Sequence, residues 1–510
     1  MVQGQAQAGE EICQGNQKIV SCIGVGGFVK NMFLRGMLFT AVGKYSNMVC
    51  LLLVNAVLSR LLTPRDFGVV AAVTVFVVFI NEFATAGLGP AVIQHQDLSD
   101  KDISYIFNFS VLFALVCAAI MAAIGWILEW FYGGLIYREV SWALAVGVFL
   151  QGSAVVPQAI LLKAKKFPQI SVILISASLC GGTSGVVAAL NGAGVFSLAI
   201  QLVVSGMVTL GLTLRFSRIH LRSGISIKPV QKVWKFARNQ LGFNLVNYFA
   251  RNMDNLLVGK VLGPTALGAY NKAYQLLLYP NSVLLGIITP VLQPVLAEHQ
   301  DNVKLIRNAY LKIFHVLALV GMPLSCMLCL SSREVVFCLY GNQWEASVVP
   351  FTILAVTVWM QMTLSSTGAI FQARNQPARL FRVGLISTAI ILAGIVCGIL
   401  LGNIEYLAVT LAIAFGINWV VSYTLFMHWA LSSSLIVAIK ELARPIVVAL
   451  ISAVPLVIIQ VYWSGANQWI LLGTKLTAWI TFAAIGCALT KEFKLLSEII
   501  RPRRQIPSLK

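Results

Sequence analysis

One apolar stretch near the middle of the chain carries a regular set of polar and charged side chains. They follow one another at steps of three or four residues and are Gln240, Asn244, Asn247, Arg251 and the adjacent Asp254 and Asn255. Such spacing places side chains on one face of an α-helix. A charge near the middle of a membrane helix costs roughly 2.5 to 3.5 kcal/mol, so it should face a protein interior or a wet cavity. We expect this face to line a transport pathway.

A second polar face is predicted near the N-terminus, where Lys44 stands at the position that Asn244 takes in the later stretch. This face also carries Asn47 and Asn55, and Lys272 adds a further cation to the predicted pathway. Lys and Arg side chains bind anions such as phosphate, and amide side chains hydrogen-bond hydroxyl groups. The pattern favours an anionic, hydroxyl-rich cargo.

The same residues also allow a structural interpretation. Arg251 and Asp254 are three residues apart and could neutralise each other on one helix face. Lys44, Lys272 and Lys475 could extend along apolar surface to the membrane interface. Both interpretations stay open at the level of sequence.

Two carboxylates are candidates for coupling transport to an ion gradient. Glu82 has no basic residue within one turn of its own helix, and burial without a partner raises the pKa of a carboxyl group towards neutrality. It could exchange a proton, or stay a neutral, hydrogen-bonded group beside Asn81. Asp254 is the second candidate for ion coupling.

Soluble enzyme chemistry is not expected from this chain. The five histidines are far apart in sequence, none has metal-ligand spacing to another, and the connectors are too short to build a catalytic domain. We expect no metal and no cofactor. An intramembrane transferase stays an alternative.

The chain repeats itself at an offset of 200 residues. Two turns match, from Arg60 to Gly68 and from Lys260 to Gly268, and a later turn at Ala164–Pro168 resembles Ala373–Pro377 at an offset of 209 residues. The paired positions are Asn47 and Asn247, Asn55 and Asn255, Pro64 and Pro264, Gly68 and Gly268, Asn81 and Asn281, and Pro90 and Pro290. Two homologous halves are typical of transporters.

Composition defines the broad class of protein. With 510 residues, 58% hydrophobic and 11% charged, the chain has the character of a polytopic membrane protein. The net charge of +19 would suggest nucleic acid in a soluble protein. Here the basic residues lie between apolar segments, where they set topology and meet anionic lipids, so no nucleic-acid partner is expected.

Fourteen stretches have spanning length. They run from 39–61, 67–93, 103–128, 142–162, 170–190, 195–216, 236–259, 267–295, 306–330, 348–371, 381–401, 406–429, 442–462 and 469–489. Six spans separate the two copies of the repeat, and an even number makes the copies point the same way. The predicted fold is therefore all-α, with two six-helix bundles related by a pseudo-twofold axis along the membrane normal and two extra C-terminal helices.

Charge in the connectors predicts the orientation. Most Lys and Arg residues lie on the N-terminal side of the membrane, so both termini are expected to be cytoplasmic. The predicted domains are an interfacial or cytoplasmic segment at 1–38, the first bundle at 39–216, a basic cytoplasmic linker at 217–235, the second bundle at 236–429, the two extra helices at 430–490 and a basic tail at 491–510.

Three segments carry a resemblance to a known family. They are Leu58–Gly68, Gly87–Gln94 and Asn252–Tyr274. The chain from residue 39 onward resembles the polysaccharide-transport branch of the multidrug, oligosaccharidyl-lipid and polysaccharide exporter superfamily, including the Wzx-type flippases of lipopolysaccharide and colanic-acid assembly. The segment before residue 39 departs from that pattern.

The resemblance implies a V-shaped pair of bundles in the bacterial inner membrane. It implies transfer of an undecaprenyl-pyrophosphate-linked oligosaccharide to the periplasmic leaflet for lipopolysaccharide or exopolysaccharide assembly, by alternating access driven by a proton or sodium gradient. A polysaccharide polymerase and glycosyltransferases are the implied protein partners.

Three other functions remain as alternatives at this level. A drug or cation antiporter of the same superfamily would need a carboxylate in the first helix, and 39–61 has none. A peptidoglycan-precursor flippase would show a cluster of cavity arginines that is not evident here. A membrane scaffold for glycan synthesis would not need charges inside the membrane.

Overall fold

The structure, a computed structural model, describes residues 42–85, 88–94, 98–219, 224, 252, 254–297, 300, 302–463 and 465–493. Every regular element within these ranges is a helix. The predicted segment 1–38 lies outside the described residues, as do most of the linker at 217–235 and most of the C-terminal tail.

The first half of the molecule is built from long helices joined by short turns. They are Val42–Leu61 (α1), Pro64–Thr85 (α2), Leu88–Gln94 (α3), Asp100–Tyr132 (α4), Leu135–Lys163 (α5), Phe167–Leu190 (α6) and Phe196–Ser217 (α7). Ser99 and Asp102 form a reciprocal capping box that starts α4, and Gly133 ends it in the left-handed region at φ 77°. Helix α5 packs against both α4 and α7, and α6 packs on α7.

The second half follows the same plan. A short described helix at 254–261 (α8) precedes Gly263–Ala297 (α9), Val303–Leu330 (α10), Ser332–Tyr340 (α11), the 3-10 turn Asn342–Ser347, Val348–Ala355 (α12), Val358–Leu364 (α13), Thr367–Ala373 (α14), Pro377–Leu400 (α15) and Ile404–Trp429 (α16). Leu435–Glu441 (α17), Ala443–Tyr462 (α18) and Gln468–Leu489 (α19) complete the chain.

The number of long apolar helices agrees with the predicted membrane protein. Eleven described helices are long and apolar enough to cross a membrane, and a bent pair raises the number to twelve. The predicted span at 267–295 corresponds to α9, which is 35 residues long and is not one of these eleven helices. Most of the predicted span at 236–259 lies outside the described residues. The all-α polytopic fold is confirmed.

One predicted span is broken. The stretch 348–371, expected to be continuous, forms α12, α13 and α14, with a bend of 53° between the segments Asn342–Ala355 and Val358–Ala373. Hydroxyl groups of Thr357 and Ser365 donate to carbonyls three residues earlier, at 2.7 and 2.6 Å. Such bonds compete with the helix ladder and bend it.

Glycines set the tight packing at equivalent places in the two halves. In α6, a Cβ added at Gly181 or Gly185 would lie within 2.9 Å of atoms of α7. In α15, a Cβ at Gly394 or Gly398 would lie within 2.6 Å of atoms of α16. In both helices the glycines are four residues apart, the spacing that lets membrane helices approach closely.

A repeated turn also keeps its geometry. After α5, the Lys166 N–H bonds the Leu161 carbonyl at 2.9 Å, and after α14 the Gln376 N–H bonds the Phe371 carbonyl at 2.9 Å. This is the six-residue loop of a Schellman cap. The two turns predicted to be related thus have the same hydrogen bond.

The extra C-terminal helices are attached to the second half by buried polar contacts. Lys475 of α19, fully buried, pairs with Glu334 of α11 at 2.8 Å. The Trp479 indole N–H donates to the Pro323 carbonyl at 2.9 Å. The alternative in which Lys475 extends to the membrane interface is therefore wrong, because a carboxylate, an amide and a carbonyl hold its ammonium group inside the protein.

Candidate functional site

The two halves meet at the end of the molecule that carries the α1–α2 and α8–α9 turns. Here α2 crosses α9 at Gly68 and Gly268. A Cβ added at Gly68 would lie 1.7 Å from the Pro264 carbonyl oxygen, and one at Gly268 would lie 1.9 Å from that of Pro64. Residues paired by the sequence repeat therefore contact each other reciprocally, as a twofold axis requires.

Polar contacts reinforce this junction, which we call the closed end. Arg60, at the end of α1, donates to the Cys338 carbonyl at 2.5 Å. The Ser59 carbonyl accepts from the Trp344 indole at 2.7 Å and from the Gln343 amide at 2.6 Å. These bonds satisfy carbonyl groups that the end of a helix leaves without intrahelical partners.

A cavity of about 640 Å³ lies between the halves, lined by α1, α2 and α7 on one side and by Asn252, α8 and α9 on the other. This volume lies within the range of ligand sites in proteins. Five predicted residues line it: Lys44, Asn47, Asn55, Asn255 and Lys272. The structure thus brings residues from both halves to one cavity, while their role in binding stays a prediction.

The remaining predicted residues are either outside the described part of the chain or not among those that line the cavity. Gln240, Asn244, Asn247 and Arg251 fall outside the described residues. Asp254 is buried and accepts a hydrogen bond from the Tyr270 hydroxyl at 3.1 Å. Glu82 is half-buried on α2 and is not among the residues that line the cavity.

Helix α1 supplies the polar wall of the first half. Lys44 is exposed, and eleven positions later Asn55 lies close to the closed end, about 16 Å along the helix axis at 1.5 Å per residue. Asn47 accepts a hydrogen bond from the Ser178 hydroxyl of α6. A cation and amides thus follow one face of α1 through the depth of the cavity.

Lys272 of α9 lies where the cavity meets the closed end. Its ammonium group donates to the Asn55 amide oxygen and, at 2.6 Å, to the Ser59 hydroxyl. It also lies 3.7 Å from the centroid of the Phe67 ring. Only 2% of Lys272 is exposed, so the alternative in which it extends to the membrane interface is wrong.

Two rings of the second half complete the surroundings of this ammonium group. The centroid of the Tyr340 ring is 4.6 Å from the Lys272 nitrogen, and that of Trp344 is 5.3 Å away. Burial raises the pKa of the Tyr340 phenol above its ordinary value, so the ring is neutral at physiological pH. Aromatic faces attract a cation within about 6 Å.

One polar wall of the cavity, on α9, was not predicted from the sequence. Asn271, Gln275, Tyr279 and Ser282 line it from α9, at steps of four, four and three residues. The Asn55 amide donates to the Gln275 side-chain oxygen at 2.9 Å across the two halves. The spacing that identified the other polar faces would have identified this one as well.

Among solved structures, the fold is similar to that of the lipid II flippase MurJ in an inward closed conformation. The TM-score is 0.72 at 11% sequence identity, over 91% of this chain and all of that one. Architecture and cavity together define a two-lobed, all-α membrane protein whose halves enclose a cavity lined by both polar and apolar side chains.

Relatives with known roles point to one family within this class. The chain is 24% identical to the lipopolysaccharide biosynthesis protein WzxC of Escherichia coli K12, over 74% of this chain and 77% of that protein. It is 23% identical to the succinoglycan biosynthesis transport protein ExoT of Rhizobium meliloti, over 78% and 80%. The chain belongs to the polysaccharide biosynthesis protein family, whose pattern matches residues 57–349.

The family assignment confirms the resemblance found in the sequence. The matched region covers more than half of the chain and includes both copies of the repeated turn. A relative described as a transport protein also agrees with the expectation that the chain is not an enzyme.

Proposed function

We propose that this protein is a flippase that moves a lipid-linked oligosaccharide across the bacterial inner membrane during polysaccharide assembly. The observation that carries the proposal is the cavity between the halves, which joins Lys44 and Lys272 to amide side chains from both halves. The family and the names of its relatives support the same cargo.

The chemistry of the cargo explains the composition of the cavity. A sugar and pyrophosphate head group cannot cross hydrocarbon unaided, because its polar groups would lose their hydrogen bonds with water. Ammonium groups replace hydration of the phosphates, and amides such as those of Asn47 and Asn55 replace hydration of the hydroxyl groups. The lipid tail stays in the bilayer beside the protein.

Orientation follows from the distribution of basic residues. With both termini in the cytoplasm, the closed end faces the periplasm, and the cavity would load from the cytoplasmic leaflet. Alternating access then requires the closed end to open. Glu82 and Asp254 are the candidates for coupling this movement to protons or sodium ions, and a polymerase and glycosyltransferases are the proposed neighbours in the pathway.

Lys44 offers the sharpest test of the cavity because its ammonium group is exposed. A charge-assisted hydrogen bond contributes about 1.5–3 kcal/mol, so Lys44→Met should weaken substrate binding about 10- to 150-fold. In cells that depend on this protein, we expect less surface polymer and an accumulation of lipid-linked repeat units in the cytoplasmic leaflet. Radiolabelled lipid extracts and polymer staining measure both quantities.

Lys101→Met is the matched control, since Lys101 is an exposed lysine in the first turn of α4, away from the cavity. It should leave polymer and lipid-linked intermediates unchanged. Normal polymer from Lys44→Met at normal protein abundance would contradict the role of the cavity and would favour a scaffold.

A further inference from the structure

Lys272 belongs both to the cavity and to the closed end. It lines the cavity, and its ammonium group also contacts Tyr340 and Trp344, which belong to the closed end. The Trp344 indole in turn bonds the Ser59 carbonyl of the first half. A change in the position of the Lys272 side chain would therefore alter both the cavity and the closed end.

The contacts of Lys272 connect the two halves. Asn55 and Ser59 belong to α1, Phe67 belongs to α2, and Lys272 belongs to α9. Among the residues that the structure describes, every group in contact with this ammonium is neutral. In the closed state two hydrogen bonds and three aromatic rings hold the ammonium group, and no carboxylate among the described residues occupies the place that an incoming anion would take.

We propose that the contacts of Lys272 hold the closed end shut and that an anionic group entering the cavity breaks them. We call these contacts the lock. A phosphate oxygen binds an ammonium group more strongly than neutral amides and rings do, most of all in a site of low dielectric constant. The inference rests on the proposed function for the origin of the anion, but the lock itself needs no cargo.

Release would favour opening for a simple thermodynamic reason. A ligand shifts a conformational equilibrium only by its different affinity for the two states. In the closed state the ammonium of Lys272 is held by Asn55 and Ser59, so an anion binds weakly there. In an open state those contacts are absent and the full charge is available, so the anion binds more strongly and stabilises that state.

The lock can be tested on the full-length protein in lipid nanodiscs. Leu61 and Val261, exposed positions paired by the repeat at the ends of α1 and α8, would carry genetically encoded spin labels. Pulsed electron paramagnetic resonance then measures the distance across the closed end, with and without millimolar inorganic pyrophosphate. In the wild type we expect one short distance without pyrophosphate and an added longer distance with it.

Two variants should act in opposite directions. Lys272→Met keeps most of the side-chain volume and removes the charge, so the longer distance should dominate without pyrophosphate, with at least a tenfold rise in the ratio of open to closed molecules. Asn55→Asp offers Lys272 a carboxylate, so the short distance should persist even with pyrophosphate. Lys101→Met should behave as the wild type does.

The outcomes separate the parts of the proposal. A short distance in ligand-free Lys272→Met would refute the lock. Opening of Asn55→Asp by pyrophosphate, or no response of the wild type to pyrophosphate, would refute release by an anion. Because Asn55→Asp retains Lys272, it still tests the proposal if Lys272→Met folds poorly. If the distances follow expectation while Lys44→Met exports polymer normally, the proposed function fails and the lock stands.

Discussion

Gly268→Val should abolish polymer export while leaving each half of the molecule folded. The first added carbon at this position would lie 1.9 Å from the Pro64 carbonyl oxygen, more than 1 Å closer than real Cβ atoms approach. The obstacle is backbone, which cannot rotate away as a flexible side chain would. The two halves must therefore separate at the closed end, and the proposed alternating access would lose one of its two states.

The sequence repeat extends this prediction to the equivalent glycine of the first half. Gly68 stands in the same relation to Pro264, at 1.7 Å, so Gly68→Ala and Gly268→Ala should produce the same defect. Gly416→Val is the matched control, because a Cβ added at this helical glycine of α16 has no atom within 4 Å. Surface polymer, protein abundance and the distance between labels at Leu61 and Val261 are the measurements. Normal export from both Gly68 and Gly268 variants would contradict a closed state of this geometry.

The contact between Gly68 and Gly268 could be predicted only in part from the sequence. The repeat paired these residues in the sequence, and the positions of the spans followed from hydropathy. That they touch required the arrangement of the two halves. A twofold relation brings equivalent residues together only when they lie near the axis, and no sequence pattern defines the axis.

Several polar residues of the cavity could be predicted from the sequence, but the contacts between them could not. Lys44, Asn47 and Asn55 were recognised because a polar residue inside an apolar helix is costly wherever it lies. The partners of Lys272 were not, since Asn55 and Ser59 are more than 200 residues away and their contact depends on how α1 packs on α9. The broken span at 348–371 shows a similar limit, because hydropathy is the same for straight and bent helices.

Lys475→Met should be the most destabilising single substitution in the C-terminal region. Its removal leaves the Glu334 carboxylate, which is 3% exposed, buried without its cation. Breaking a buried pair in this way costs about 3–5 kcal/mol, because the remaining charge keeps its desolvation penalty and loses its partner. We expect a large loss of folded protein in membrane extracts and a lower midpoint of thermal unfolding in detergent.

A second substitution should restore much of that loss. In the double variant Lys475→Met with Glu334→Leu, no charge remains in the contact between α11 and α19, and replacing a buried ion pair by apolar residues is often neutral. Arg333→Met is the control, since its pair with Glu345 is exposed and 3.6 Å long and should contribute at most about 1 kcal/mol. The expected order of stability is therefore Arg333→Met, then the double variant, then Lys475→Met. A double variant as unstable as Lys475→Met would show that the extra helices depend on the ion pair itself, whereas recovery would show that they depend on the apolar surface that α18 and α19 bury against the second half.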